Sequence, residues 1–207
     1  MNVYVETNFV FELAFLREER ENCDRILSLC EAGRASLVLP AFCIAESYEA
    51  LIRRAKERKQ IGIDVERELQ QLRRSEPYRD QIDPLQNTIA NLFVQSEVEE
   101  GKRLPAVLQR ISRTVTLIPL DASIISSASS SPEKSVLKPQ DLIVYLSVMR
   151  HLAAAGEVES CFIAKDKHFS DNPDLVKTFA DQGCKVFRSF SKACQYLEHR
   201  CTAGSGT

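Results

Sequence analysis

Glu6, Glu46, Asp141 and Asp166 are the residues of this chain whose types and spacing could do chemistry. Glu6 closes the apolar run Val3-Tyr4-Val5, and Asp166 follows Cys161-Phe162-Ile163-Ala164. Glu46 and Asp141 fall near the starts of two predicted helices. In an open α/β sheet, strand C-termini and the starts of the following helices share one edge, and ligands bind in the crevice there. Four carboxylates on that edge repel one another unless cations neutralise them. The pattern points to a metal-dependent enzyme acting on phosphate, with hard oxygen ligands suited to Mg²⁺ or Mn²⁺.

The elements that must position these residues are marked by glycines. Gly33 precedes Ser36-Leu37-Val38-Leu39, Gly156 precedes Cys161-Phe162-Ile163-Ala164, and Gly183 precedes Cys184-Lys185-Val186-Phe187. Each follows a helix-like segment. Glycine takes the left-handed conformation that ends a helix, and a short turn then feeds a strand. Repeated helix–Gly–strand transitions predict αβ units and a mostly parallel sheet. The expected strands are 2–6, 36–39, 115–119, 161–164 and 184–187. Helices are expected over 8–18, 20–32, 41–59, near 122–128, over 140–155, near 173–182 and over 190–200, with a polar loop at Ser129–Lys138. The predicted fold is α/β: a three-layer α/β/α sandwich with a mostly parallel, about five-stranded central sheet. One domain over 1–201 carries a helical insertion at about 61–113, whose apolar residues recur at helical spacing. The tail 202–207 is expected to be disordered.

Composition excludes several classes. Apolar residues make up 44% and charged residues 27% of the 207, as expected of a soluble globular protein. The longest apolar stretch, Leu37–Ala45, has nine residues and a proline, too short for a membrane span of about 20. Glu6 and Glu12 near the start do not suit a secretory signal, so the expectation is a cytoplasmic protein with no membrane partner. Seven cysteines without a Cys-x-x-Cys pair, and histidines scattered at 151, 168 and 199, suit neither a disulfide framework nor a structural zinc site. No Gly-x-Ser-x-Gly elbow, phosphate-binding Gly-x-x-x-x-Gly-Lys loop or Gly-x-Gly-x-x-Gly occurs. With a net charge of −2, a nucleic-acid partner needs a local patch, and the candidate is Arg53, Arg54, Lys56, Arg58 and Lys59. Arg54 and Arg58, four apart, share a helix face and are the candidate phosphate grips, although such a face is often only solvated.

The segment Val3-Tyr4-Val5-Glu6-Thr7-Asn8-Phe9-Val10 resembles the opening strand of PIN-domain nucleases, in which an acid ends the strand and a hydroxyl residue and Asn follow. Pro40-Ala41-Phe42-Cys43-Ile44-Ala45-Glu46, Leu137-Lys138-Pro139-Gln140-Asp141-Leu142-Ile143 and Phe162-Ile163-Ala164-Lys165-Asp166-Lys167-His168-Phe169 are similar to the family's second, third and fourth motifs, in the same order. The resemblance spans nearly the whole chain apart from 61–113. The family's first acid is usually Asp, and Glu6 carries its carboxylate farther out by about one bond length, roughly 1.5 Å.

The resemblance implies a metal-dependent nuclease, most simply an endoribonuclease hydrolysing phosphodiester bonds with Mg²⁺ or Mn²⁺. Glu6, Glu46, Asp141 and Asp166 are then catalytic, with Glu6, Asp141 and Asp166 as metal ligands and Glu46 as a ligand or a positioner of water. Thr7 and Asn8 can cap the next helix or hold a carboxylate or phosphate, and count with Arg54 and Arg58 as substrate-binding candidates. Each acid also has a plainer reading. Asp141 suits the first turn of a helix after Pro139, Glu46 has Glu49 as a competitor, and Asp166 suits a turn. Asp121 reads as an N-cap, and Asp171 and Asn172 as turn or cap residues. Two other functions fit the residues: a catalytically silent RNA- or protein-binding module, and the toxin of a toxin–antitoxin pair blocked by a small inhibitory protein. RNA, such an inhibitor and a second copy of the chain are the partners these readings admit.

Overall fold

The computed structural model describes residues 1–203. Five strands form one sheet: β1 (Asn2–Val5), β2 (Ser36–Pro40), β3 (Thr116–Ile118), β4 (Ser160–Ile163) and β5 (Cys184–Phe187). Their order is β3-β2-β1-β4-β5, and every pairing is parallel. β1 is central, with Val5 opposite Ile163 of β4 and Tyr4 opposite Val38 of β2. Val3, Tyr4, Val5, Leu37, Leu39, Phe162 and Ile163 are wholly buried. Strands covered on both faces read as continuous apolar runs rather than alternating ones. The edge strand β3 is mostly exposed.

The helices are α1 (Thr7–Ala14), α2 (Arg20–Glu31), α3 (Phe42–Leu72), α4 (Arg79–Ser112), α5 (Ala122–Ser130), α6 (Pro139–Ala155), α7 (Lys167–Ser170), α8 (Pro173–Asp181) and α9 (Phe190–Ala203). Right-handed crossovers put α1–α4 on one face of the sheet and α5–α8 on the other. Contacts agree: α1 meets α2, α3 and α4, and α9 meets α2, whereas α5 meets α6 and α7 meets α8. Tyr145 of α6 meets Phe179 of α8 edge-on at 5.6 Å, and Phe179 stacks on Phe162 of β4 at 5.1 Å. This is the expected three-layer α/β/α sandwich. Gly33, Gly156 and Gly183 have φ of 69°, 67° and 68°, the left-handed values their helix–strand turns demand.

Several boundaries differ from expectation. The helix predicted over 41–59 continues unbroken to Leu72. Gly62 does not stop it: the helix packs along α4, and Phe93 lies 3.6 Å from where a Cβ would stand, an ordinary contact. Contacts of Arg58 with Glu100 and Arg73 with Gln86 run the two long helices antiparallel, as a hairpin between β2 and β3. Pro84 and Pro105 interrupt the α4 ladder at exposed positions, where water can satisfy the freed carbonyls. The base of the hairpin joins the core through Leu104 and Ile111. The helix predicted over 8–18 stops at Ala14, because the chain turns through Leu16 at φ 51°. The polar loop holds the end of α5 and a 3₁₀ turn at Pro132–Ser135. A short α7 forms where none was predicted, capped by Asp166. Of the expected disordered tail, Thr202 and Ala203 complete α9, and 204–207 lie outside the described residues. Cys23, Cys30, Cys43, Cys161, Cys184 and Cys194 are buried thiols. No helix among the described residues is long and apolar enough to cross a membrane.

Candidate active site

β1 and β4 are neighbours whose crossovers leave in opposite directions, so their C-terminal ends flank the topological switch point of the sheet. Glu6 and Asp166 stand there. Glu6 is the N-cap of α1, only 6% exposed, and its Oε2 accepts from the Asn8 amide at 2.7 Å. Its Oε1 accepts from the Lys165 amide at 3.3 Å, which ties the ends of β1 and β4 together. Burial pushes the Glu6 carboxyl up to about 7, against the lowering effect of these donors, and the Glu46 charge adds to the rise. Asp166 caps α7 by accepting from the His168 amide at 2.9 Å, with His168 Nε2 3.8 Å from its Oδ1.

Glu46 stands one turn into α3, where its Oε2 accepts from the Thr7 hydroxyl. Thr7 therefore holds a carboxylate rather than capping a helix; the capping falls to Glu6, with Asn8 supplying the amide it accepts from. The competitor Glu49 is exposed and faces Arg53 at 3.6 Å. Asp141 lies in the first turn of α6, behind Pro139. Burial raises its carboxyl, the charges of Asp166 and Glu46 raise it further, and His168 and Lys138 pull it down. Its Oδ2 is buried with no hydrogen-bond partner. A buried acceptor left unmade costs about 1–3 kcal/mol, and more when charged.

All four predicted acids thus meet in one electrostatic neighbourhood. Their carboxylates are not drawn into a ligand sphere: among the described residues, no three His, Cys, Asp or Glu side chains form a group able to hold a metal ion. Glu6 and Asp166 cap their own helices, and of the four acids Asp141 is the one with a buried oxygen that has no hydrogen-bond partner. The oxygen donor set and that orphaned atom nevertheless suit a hard divalent cation.

The basic pair is used differently from expectation. Arg58 makes a bidentate pair with the buried Glu100 of α4, at 2.8 and 2.7 Å. Arg54 lies 4.4 Å from the Phe15 ring centre and 3.5 Å from Glu100. Arg58 ties the two helices of the hairpin together, and Arg54 ties the hairpin to the domain through Phe15, rather than both standing free beside the acids. Asp121 and Asn172 are N-caps as read, while Asp171 pairs with Arg188 at 2.7 Å.

Two residues next to the site escaped the sequence reading. Glu12 is wholly buried, accepts from the Glu19 amide at 2.8 Å and pairs with Lys165 Nζ at 2.6 Å. Burial pulls the Lys165 ammonium down, but Glu12, Glu19 and Glu18 outweigh it and the net shift is upward. Lys165 thereby pins the segment between β4 and Asp166. Glu12 stands three residues from both Phe9 and Phe15, a spacing that puts it on their helix face, but nothing in that spacing names Lys165 as its partner.

The family model that matches the chain is described as PIN domain and covers residues 3–169. No curated protein matches the chain, and no solved structure does.

Proposed function

The chain belongs to the PIN domain family, generally one of metal-dependent nucleases, and from that premise we propose that it is a Mg²⁺- or Mn²⁺-dependent endoribonuclease. The observation that carries this reading is Asp141 Oδ2, buried without a partner beside the charges of Glu46 and Asp166. Asp141, Asp166 and Glu6 would hold the cation. Bound there, it supplies Lewis acidity to a phosphate oxygen and lowers the pKa of water.

The chain's own residues account for the rest. Glu46, fixed by the Thr7 hydroxyl, is placed to accept a hydrogen bond from the attacking water. Glu6 is fixed for ligation by the Asn8 and Lys165 amides, which hold its Oε2 and Oε1. Lys138 acts on Asp141 electrostatically and offers positive charge to a phosphate that would otherwise meet only acids. RNA is the substrate in this reading.

Cleavage of a fluorescent single-stranded ribooligonucleotide in Mn²⁺ tests it. Asp141→Asn should lower the rate at least about 100-fold, the upper range for losing even an outer partner of a metal ligand. Equal rates in the variant and the wild type would overturn the assignment.

A second reading, a catalytically silent binding module, is favoured by one observation: Glu6 and Asp166 already satisfy helix N-termini. Retained RNA binding with no Mn²⁺ uptake in calorimetry would select it.

A further inference from the structure

Next to the carboxylates lies a cavity of about 280 Å³ walled by Phe11, Phe42, Glu46, Glu49, Arg53 and Gln140. Three helices contribute: α1 gives Phe11, α3 gives Phe42 and the three charged residues, and α6 gives Gln140. The cavity adjoins the candidate active site at Glu46. Glu46 lines it and also accepts from Thr7, and Gln140 immediately precedes Asp141. Phe11 and Phe42 are half-buried and pack on the core, so their rings are held in place. Arg53 is held between Glu49 at 3.6 Å and Glu57 at 3.9 Å.

We infer that this cavity takes one nucleobase of the bound strand, beside the phosphate presented to the acids. The inference rests on the nucleic-acid reading above and deepens it. The volume falls just below the roughly 300–1,000 Å³ of pockets for drug-sized ligands, so it suits one ring system rather than a chain. Aromatic walls offer stacking, the usual way in which unpaired bases are bound. Glu46 and Glu49 make the cavity hostile to a phosphate and receptive to N–H donors. The Gln140 amide can donate and accept, and so can read a base edge. Adenine, guanine and cytosine carry an exocyclic amino group with two N–H donors for the carboxylates, and uracil offers only its ring N3–H. The site therefore selects amino-bearing bases over uracil.

The test uses full-length Asp141→Asn protein, to prevent cleavage, and fluorescence anisotropy with three short ribo-oligomers of equal length: oligoadenylate, oligouridylate and an abasic oligomer. Oligoadenylate should bind about 5- to 100-fold tighter than the abasic oligomer, the range for one stacked base. Adding Phe42→Leu should remove most of that advantage and leave the affinity of the abasic oligomer as it was. Glu49→Gln, at an exposed position, should shrink the preference for oligoadenylate over oligouridylate and guards against a folding defect in the Phe42 variant. Equal affinity for all three oligomers, or Phe42→Leu weakening all three alike, would overturn the inference. An apolar peptide as the true occupant would give the same equal affinities. Cleavage by wild-type protein separates the two readings. Base selectivity without any cleavage in Mn²⁺ sinks the nuclease reading and keeps the pocket; cleavage without selectivity does the reverse.

Discussion

Lys165 reaches Glu12 with its side chain at 2.6 Å and Glu6 with its amide at 3.3 Å. One residue thus joins a wholly buried carboxylate in the middle of α1 to the acid that opens the same helix. The half-exposed lysine and its buried partner brace the end of β4 against α1, and Glu6 and Asp166 stand on either side of that brace.

Breaking the pair from the lysine side strands a charge at Glu12, which has no exposed surface. Lys165→Met should therefore lower the unfolding free energy by about 3–5 kcal/mol, the usual cost of a buried charge deprived of its partner. Adding Glu12→Gln should return much of it, since the stranded charge is gone. Urea denaturation of the single and double variants measures both. A loss under about 1 kcal/mol in Lys165→Met would show that Glu12 is satisfied by the Glu19 amide alone.

Glu6 makes stability fall as pH rises. Its carboxyl is shifted from an ordinary 4.5 to about 7 in the folded chain, so between those values the folded state holds the proton more tightly than the unfolded one. The contribution is fully present below about 4.5, declines through the interval and is lost above about 7. At about 1.4 kcal/mol for each tenfold change in proton affinity, the total is up to about 3 kcal/mol. Asp141 is shifted in the same direction. Glu6→Gln should be more stable than the wild type at pH 8 and should flatten this part of the profile. Thermal unfolding across pH checks it; parallel profiles would show that the Glu6 carboxyl is ordinary.

Arg58 is engaged with Glu100 through two hydrogen bonds across the α3–α4 hairpin. Arg58→Ala should cost about 2–3 kcal/mol of stability, because the buried Glu100 loses both hydrogen bonds and keeps Arg54 at 3.5 Å. A phosphate grip would add about one to the salt slope of RNA binding. The slope for Arg58→Ala should equal that of the wild type, and a reduction by about one would restore Arg58 to the nucleic-acid interface.

The sheet was legible because its signals are local. Val3-Tyr4-Val5 and Cys161-Phe162-Ile163-Ala164 need no partner to be recognised as strands, and the strand-ending acids followed from them. Gly33, Gly156 and Gly183 mark their turns through a backbone conformation that other residues resist. What escaped depends on residues distant in sequence. Glu12 and Lys165 are 153 positions apart, and periodicity along α1 cannot say which charge will be buried. Arg58 was read as a free cation because Glu100, 42 residues on, could not be placed against it. The length of α3 was missed because its second half is held by packing along α4, which outweighs the cost of about 1 kcal/mol for Gly62 inside the helix. Glu6 was legible as the site's anchor, but not its engagement with the Asn8 and Lys165 amides.

The central claim is that Asp141 Oδ2 awaits a cation shared with its neighbouring acids. A crystal soaked in Mn²⁺, with diffraction recorded for anomalous signal, tests it most directly. The account predicts a Mn²⁺ peak within ligand distance of Asp141 Oδ2, roughly 2.0–2.3 Å, absent from Asp141→Asn crystals soaked in the same way. No peak at Asp141 under saturating Mn²⁺, or a peak that survives the substitution, would contradict it.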